Sequence, residues 1–446
     1  MYAVVHRTER LEGTVTVAGS KNYTARYILA ASLASGSSVV QNPAPIDDAY
    51  ALADCCTRLG AEIDTSVETD WHVQGTGGKL WGPARLNVRN AGAVTRFLMA
   101  VCAASPEPVE LYTPYPESLG RRPQQDLIDA LRQLGADVTS NDGRLPVTVR
   151  RGNLQAGPVS VSGAKSSQYL SGLLFLAPLL EGVTEIEVRD TLRSRPAVEQ
   201  TLDVLASVGI QVEAADDLLA FRIAGPQPYR SGVYRVPGVW PSAAAILCAA
   251  AVVESDVIVD GVFADAQGEA RILDVLRQMG ADVQYTPEEG RVRLRSEGRL
   301  RPVRVDGDLA TDAVLSMVAA ACFADGTSHF FNLHTLRHKE SDRISDFCRE
   351  LRKCGVKVDE GPSDIVVHGS NAGVPGGAEI DAHHDHRIIM ALTTVGLRAQ
   401  APLGIKDAWH VAKSYPKFFQ VLQSLGARVV LTDAGAEAGD TNREQV

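Results

Sequence analysis

The sequence predicts an α+β fold made of two domains, each assembled from three copies of one unit. Three observations carry that prediction: a glycine-terminated helix that recurs six times, a second set of helices that is apolar nearly all round, and a Gly/Pro-punctuated break at mid-chain. The first set ends at Leu59-Gly60-Ala61, Leu134-Gly135-Ala136, Val208-Gly209-Ile210, Met279-Gly280-Ala281, Cys354-Gly355-Val356 and Leu425-Gly426-Ala427. Its glycines are 75, 74, 71, 75 and 71 residues apart, and one sixth of the 446 residues is about 74, so this period accounts for nearly the whole chain. Glycine just past the last turn supplies the left-handed backbone that stops a helix.

Each of these glycines closes an amphipathic stretch such as Arg271–Met279, with apolar residues at helical spacing, which predicts a half-buried helix. The companion stretches, 24–34, 94–104, 168–180, 242–253, 312–323 and 386–397, are apolar on every side. A run such as Ala243–Ala251 suits a helix enclosed within a layered domain. β-Branched stretches, including Thr14–Val17, Glu185–Val188 and Val257–Val259, run around them. Each unit therefore reads as strand, buried helix, strand, surface helix and two closing strands. Six such units exceed one core at this length, so the chain divides three plus three, with the break between Gly232 and Pro241. The tail 433–446, rich in Ala, Gly and Glu, is expected to be disordered.

Composition narrows the function classes. With 45% hydrophobic and 22% charged residues the chain is an ordinary soluble protein, and a net charge of -10 argues against general binding of nucleic acid or anionic membrane. Any anionic ligand must be small and enclosed. Met1–Gly13 mixes charges of both signs without an apolar core, so it does not read as a signal peptide, and no apolar run reaches membrane-spanning length. Seven cysteines, including the neighbours Cys55 and Cys56, form neither a disulfide framework nor a paired metal spacing, which fits a reduced, cytoplasmic protein. His383-His384-Asp385-His386 lacks the spacing of a zinc site. Gly75-Thr76-Gly77-Gly78-Lys79-Leu80 lacks the Walker spacing and is expected to be a hairpin turn. Arg349-Glu350-Leu351-Arg352-Lys353 is expected to be the solvated face of its helix.

Polar residues gather where helices begin. Buried helices are expected to start after Gly19-Ser20-Lys21-Asn22, Asn90–Ala93, Gly163–Ser167, Pro241-Ser242, Ala310-Thr311-Asp312 and His384–Arg387. Surface helices are expected after Asp47-Asp48, Arg121-Arg122-Pro123, Ser194-Arg195-Pro196, Ala264-Asp265, Lys339–Asp342 and Lys413–Pro416. Helix N-termini carry free N–H groups and positive potential, so such ends, with Lys21, Arg26, Arg96, Arg122, Lys339, Arg343, Arg387 and Lys413, suit ligands bearing several phosphates or carboxylates. In Arg337-His338-Lys339-Glu340-Ser341-Asp342-Arg343, Ser341 or Asp342 can cap the following helix, placing Lys339, Glu340 and Arg343 in its first turn. A carboxylate among cations weakens anion binding, so Asp312 and Glu340 are either structural ion-pair or capping groups, or general acids and bases.

Taken together, Gly19-Ser20-Lys21 with Arg26, Asn90-Ala91-Gly92 with Arg96, Arg122-Pro123, Ser166-Ser167-Gln168, Ser194, Asp312, Lys339–Arg343, Asp385-His386-Arg387 and Lys413 resemble the motifs of the enolpyruvyl transferase family over nearly the full length. The resemblance implies an inside-out α/β barrel: two domains, each three βαβαββ repeats about a pseudo-threefold axis, one spanning 19–235 and a discontinuous one spanning 1–18 plus 236–432. It implies transfer of the enolpyruvyl group of phosphoenolpyruvate to the 5-hydroxyl of shikimate 3-phosphate, by a monomer that needs neither cofactor nor metal. Lys21, Asp312 and Glu340 would then be the proton-transfer groups. Shikimate 3-phosphate would fall to Lys21, Asn22, Arg26, Ser166, Ser167, Gln168, Ser194, Asp312, Thr335 and Lys339, and phosphoenolpyruvate to Lys21, Gly92, Arg122, Gln168, Arg343, Arg387 and Lys413. The chain departs from the family pattern at Asn22, Ala25, Ala93, Ala197 and Thr335, where the family commonly has Ser, Asn, Thr, Tyr and Asn. Lys21-Asn22 is also similar to the sister branch that acts on UDP-N-acetylglucosamine, so another phosphorylated acceptor, a UDP-sugar or nucleotide, is the alternative. That branch's loop cysteine is absent, because Ser118-Leu119-Gly120 precedes Arg121-Arg122. Ala93 and Phe97, in place of a usual Thr and Pro, imply an altered affinity for glyphosate.

Overall fold

The computed structural model describes residues 1–192, 194–264 and 269–432; the expected disordered tail and the expected helix start at Asp265 lie outside them. The chain divides into two compact units, an inserted one, Gly19–Pro237, and a split one, Met1–Ala18 with Gly238 onward. Each has its own apolar core. That of the inserted unit draws on residues from Tyr23 to Val236, and that of the split unit on Ala3 to Val17 and Trp240 to Val429.

One strand order recurs in six four-stranded sheets among the described residues. In the inserted unit, Ala84–Asn87 runs parallel to Val109–Tyr112, which pairs antiparallel with Arg144–Arg150, and that strand with Asp137–Asn141. Pro158–Ser162, Gly182–Arg189, Ala220–Gly225 and Glu213–Ala214 repeat the pattern. In the third sheet, Ser35–Gln41, Asp70–Thr76 and Glu62–Asp64 follow it, but the leading strand, Val233–Arg235, comes from the far end of the unit. The split unit has Arg10–Thr16, Glu254–Asp260, Arg291–Glu297 and Asp282–Thr286 in the first sheet. Arg304–Asp306, Gly326–Phe331, Ile365–Gly369 and Lys357–Glu360 form the second. In the third, Tyr2–Val5 inserts between Leu403–Ile405 and Val429–Thr432, with Glu379–Ile380 at the edge.

Parallel pairs need crossovers, and four buried helices supply them: Gly92–Cys102 and Ser167–Leu176 in the inserted unit, Val314–Ala321 and His386–Gly396 in the split unit. The other two buried helices, Lys21–Leu33 and Trp240–Ala251, precede Ser35–Gln41 and Glu254–Asp260, whose parallel partners come from elsewhere in the chain. All twelve residues of Trp240–Ala251 are buried, as its composition requires. In the split unit the three helices pack on one another, so their small Ala and Ser side chains allow close approach. The surface helices are Asp47–Arg58, Gln125–Gln133, Arg195–Ser207, Ile272–Gln278, Ser345–Lys353 and Phe418–Ser424. Each is followed by its expected glycine at positive φ, from 82° at Gly355 to 106° at Gly60.

Two local expectations are corrected. Gly77 and Gly78 form a turn that leaves Asp70–Thr76 for a different sheet, because that strand's partners are Ser35–Gln41 and Glu62–Asp64; it is not a hairpin. Glu350 is fully buried rather than solvated, since it accepts hydrogen bonds from the Asp381 N–H at 3.2 Å and Lys353 Nζ at 2.7 Å. All seven cysteines are free and buried, and no helix among the described residues is long and apolar enough to cross a membrane.

Gly75, Gly225 and Gly369 stand in the last or second-to-last place of strands that face the end of a buried helix. A Cβ at these positions would be driven into the carbonyl oxygens of Ala31 and Ala34, of Ala177 and Leu180, and of Ala321 and Ala324. These are backbone atoms that cannot swing aside. Gly369→Ala is expected to destabilise the protein by about 1–3 kcal/mol, read as a lowered midpoint of thermal unfolding; an unchanged midpoint would show that this contact relaxes freely.

Candidate functional site

In the split unit, the motif Arg337–Arg343 does not open a helix. His334–His338 form a 3-10 turn, and the α-helix begins only at Ser345. Three residues before it, Asp342 Oδ1 accepts the N–H groups of Ile344 at 3.2 Å and Ser345 at 3.1 Å. Lys339, Glu340 and Arg343 therefore lie on the irregular stretch before the helix, which corrects their expected place in its first turn. The physical reason is that Arg343 is drawn inward by three carboxylates. Only 1% exposed, it donates from Nη1 to Asp312 Oδ1 at 3.0 Å, from Nη2 to Glu340 Oε2 at 2.8 Å and from Nε to Asp385 Oδ2 at 2.8 Å.

Two of the partners sit at helix beginnings. Asp385 is fully buried and caps His386–Gly396, its Oδ1 accepting the Arg387 N–H at 2.8 Å, while Ser341 Oγ donates to its Oδ2 at 3.2 Å. Asp312 lies two residues before Val314–Ala321. Further cations surround these carboxylates. Lys339 Nζ is 3.5 Å and Arg387 Nη2 3.9 Å from Asp312, and Lys413 Nζ donates to Glu340 Oε1 at 3.1 Å. Lys339, Arg343, Arg387 and Lys413 thus meet Asp312, Glu340 and Asp385 with one positive charge in excess.

Burial by itself would raise the Asp312 carboxyl, but Arg387, Lys339 and Arg343 outweigh it and hold the group at about 2. Glu340 is also lowered, with burial opposing and Arg343 and Lys413 prevailing. Burial, then Arg387, push the His386 imidazole down to about 4, so it is neutral at physiological pH. Its Nδ1 and the Thr335 Oγ1 are buried polar atoms without a hydrogen-bond partner.

The inserted unit holds a second basic group. Gly92 opens its helix against two guanidinium groups: a Cβ there would stand 3.2 Å from Nη1 of both Arg96 and Arg122, and 3.7 Å from Gln168 Oε1. Arg96 donates from Nη1 to Gln168 Oε1 at 2.5 Å and from Nε to Gln124 Oε1 at 3.2 Å. Ser166 caps the helix Ser167–Leu176 by accepting the Gln168 N–H at 3.3 Å. Gly92, Arg122, Ser166 and Gln168 are thereby brought together. Lys21 and Asn22 open Lys21–Leu33, with Lys21 Nζ 3.8 Å from Asp48 Oδ2. Burial raises the Asp48 carboxyl, against the pull of Lys21 and Arg122. Sequence reasoning saw Asp48 only as a helix start; its acidic charge within reach of two cations from distant segments carries no local signal.

Arg26 is placed differently from these cations. It is 2% exposed and donates to Thr201 Oγ1 at 2.8 Å, Asn22 O at 2.9 Å and Ala197 O at 2.8 Å, and burial lowers it to about 10. It ties its helix to Arg195–Ser207. Ser194, exposed and left-handed at φ 56°, immediately precedes that helix.

With these arrangements in view, likeness to known proteins becomes decisive. The family model for EPSP synthase (3-phosphoshikimate 1-carboxyvinyltransferase) matches residues 5–422. The chain belongs to the EPSP synthase family. Among curated relatives, the 3-phosphoshikimate 1-carboxyvinyltransferase of Deinococcus radiodurans is 45% identical over 434 residues, covering 97% of this chain and 98% of that protein. Those of Burkholderia pseudomallei and Methanocaldococcus jannaschii are 36% and 33% identical, over 96% of the chain and 95% and 98% of their own lengths. The EPSP synthase structure from Acinetobacter baumannii, 24% identical, superposes with a TM-score of 0.84 over 97% of this chain and 99% of that one, a likeness of fold.

Within this EPSP synthase family member, Arg343 is the group whose loss should be felt first. Arg343→Met leaves the buried Asp385 without its cation and is expected to cost about 3–5 kcal/mol at neutral pH. Asp385 is normally lowered, burial opposing and Arg343 prevailing. Without the guanidinium its folded-state pKa rises above the unfolded value, so the deficit should shrink as acid protonates it. Urea unfolding of both proteins across pH checks this; a deficit independent of pH would be the wrong outcome.

Proposed function

We propose that the chain transfers the enolpyruvyl group of phosphoenolpyruvate to the 5-hydroxyl of shikimate 3-phosphate, releasing phosphate by addition and then elimination. The observation that carries this reading is the pair Asp312 and Glu340, held by one buried guanidinium and ringed by Lys339, Arg387 and Lys413 in a member of this family. Arg122, Arg343, Arg387 and Lys413 take the charges of phosphoenolpyruvate, and the Gly92 N–H and Gln168 are assigned to the same substrate. Ser166, Ser167, Ser194, Thr335 and Lys339 take the 3-phosphate, and Asn22 and Arg26 the rest of the acceptor. The unpartnered Thr335 Oγ1 supports its share.

The chemistry follows from where protons must go. The 5-hydroxyl oxygen bonds to C2 of phosphoenolpyruvate while its proton passes to Asp312, and C3 receives a proton from Lys21 or Glu340. In the second step C3 gives a proton back, the C2–O bond to phosphate breaks, and the fixed cations stabilise the departing charge. An anion bound among these cations offsets the potential that depresses Asp312 and Glu340, so their basicity rises when substrate arrives. The names of the curated relatives favour shikimate 3-phosphate over a UDP-sugar or nucleotide.

Each unit is read as a domain of three repeats about a pseudo-threefold axis, a reading supported by the recurring strand order and the mutual packing of helices Trp240–Ala251, Val314–Ala321 and His386–Gly396. The enzyme works as a cytoplasmic monomer on small anions rather than nucleic acid. Its net charge of -10 and unpaired, buried cysteines support the absence of nucleic acid and a reducing compartment.

Phosphate release from phosphoenolpyruvate should require shikimate 3-phosphate and not proceed with UDP-N-acetylglucosamine. Asp312→Asn and Glu340→Gln should each lower kcat about a hundredfold or more while the dissociation constant of shikimate 3-phosphate stays within about tenfold of wild type; retained turnover would sink the assigned roles. Phe97 is fully buried, with its ring 5.6 Å from that of Phe175 and 5.1 Å from the Arg26 guanidinium carbon. With Ala93 beside Gly92, the glyphosate inhibition constant should differ from that of relatives with Thr and Pro at these positions, and an equal constant would count against it.

A further inference from the structure

The segment between Ile380 and the helix His386–Gly396 contains two consecutive left-handed residues, His383 at φ 51° and His384 at φ 55°. Side chains with a Cβ disfavour this backbone, so it persists only where surrounding contacts hold it. Each imidazole has a partner on a different element. His383 Nε2 lies 3.2 Å from Oε1 of the fully buried Glu350 on helix Ser345–Lys353. Its Nδ1 is 4.0 Å from Asp346 and 3.9 Å from Asp381. Glu350 also clamps the segment's own backbone at the Asp381 N–H, as described above. His384 Nδ1 is 2.8 Å from His410 Nε2, on the 3-10 turn Ala408–Lys413, and His410 stacks on Trp409 at 3.6 Å between ring centroids. The residue after this left-handed pair is Asp385, which holds Arg343 and the Arg387 N–H, and three residues beyond His410 is Lys413.

We propose that His383, His384 and His410 are positioning residues for the phosphoenolpyruvate cations: their contacts lock the left-handed pair that sets Asp385, Arg343 and Arg387, and join it to the segment presenting Lys413. The proposal rests on the assignment of Arg343, Arg387 and Lys413 to phosphoenolpyruvate made above. A hydrogen bond between two imidazoles needs at least one ring with a free lone pair; a doubly protonated pair has two donors, no acceptor and two like charges. Burial first, then His384 and Lys413, lower His410, with Asp407 opposing. The lowered His410 ring therefore keeps its lone pair at neutral pH, and the contact holds there. The groups that face it are Asp381 beside His384, and Asp407, Trp409 and Lys413 on the turn that carries His410.

His384 is exposed and His410 half-buried, so His384→Ala and His410→Ala are expected to fold, which circular dichroism checks. Steady-state kinetics should show the KM for phosphoenolpyruvate raised about tenfold or more in both, with the KM for shikimate 3-phosphate within about twofold of wild type. His410→Gln, whose amide can donate or accept but does not titrate, should restore the KM at neutral pH and carry kcat/KM for phosphoenolpyruvate to lower pH than wild type. An unchanged KM for phosphoenolpyruvate in the alanine variants, an equal rise in both KM values, or a Gln variant with the wild-type acid limb overturns the proposal. If His384→Ala fails to fold, His410→Ala and His410→Gln decide it alone. A wild-type enzyme that releases no phosphate from phosphoenolpyruvate with shikimate 3-phosphate overturns instead the function on which it rests.

Discussion

The split unit depends on the burial of one guanidinium. A cation with 1% exposure is tolerable only when its donors are matched, and Arg343 spends them on Asp312, Glu340 and Asp385. Those carboxylates belong to the approach to Val314–Ala321, to the irregular stretch 339–344 and to the cap of His386–Gly396. A single side chain therefore fixes three segments that are far apart in sequence. It also leaves Lys339, Arg387 and Lys413 around carboxylates already engaged, so positive charge remains available to an incoming anion.

That arrangement reconciles two requirements that oppose each other. Anion binding wants cations and no carboxylates, whereas moving protons wants carboxylates that can accept them. Holding Asp312 at about 2 keeps it ionised and paired with the surrounding cations. Neutralising those cations would raise its basicity. In the inserted unit the device is different: Arg96 is held by uncharged amide oxygens of Gln168 and Gln124 rather than by carboxylates, so its charge is not cancelled, and the bare backbone of Gly92 lets two guanidinium groups approach a helix N-terminus.

The scaffold that carries these groups relies on strands borrowed from distant parts of the chain. Val233–Arg235 leads the sheet of Ser35–Gln41, and Tyr2–Val5 pairs with both Leu403–Ile405 and Val429–Thr432. Each unit is thereby closed by main-chain hydrogen bonds between its sequence extremes. The glycines Gly75, Gly225 and Gly369 let strands meet the ends of buried helices without a side chain between.

How much of this was legible follows from whether the cause is local. Helix stops were legible because left-handed glycine is a property of one residue, and all six took up positive φ. The all-round apolar helices were legible because burial on every face leaves its mark in composition, as in Trp240–Ala251. Candidate residues could be named because short polar motifs mark the expected helix starts and because those motifs resemble the enolpyruvyl transferase family. What the sequence could not supply was which charges meet. Glu350 sits in a stretch patterned like a solvated face, yet it is fully buried because a segment thirty residues later needs its carboxylate. Arg343 was expected in a helical turn, but Asp312 and Asp385 from separate segments, with Glu340 on its own stretch, pull it off the helix. By itself the amino-acid order determined the elements, their period and the kind of charge at their ends, since these follow from neighbours a few residues apart. Only the tertiary structure decided the pairing of those charges, because Coulombic and hydrogen-bond energies depend on distances in space that no local pattern encodes.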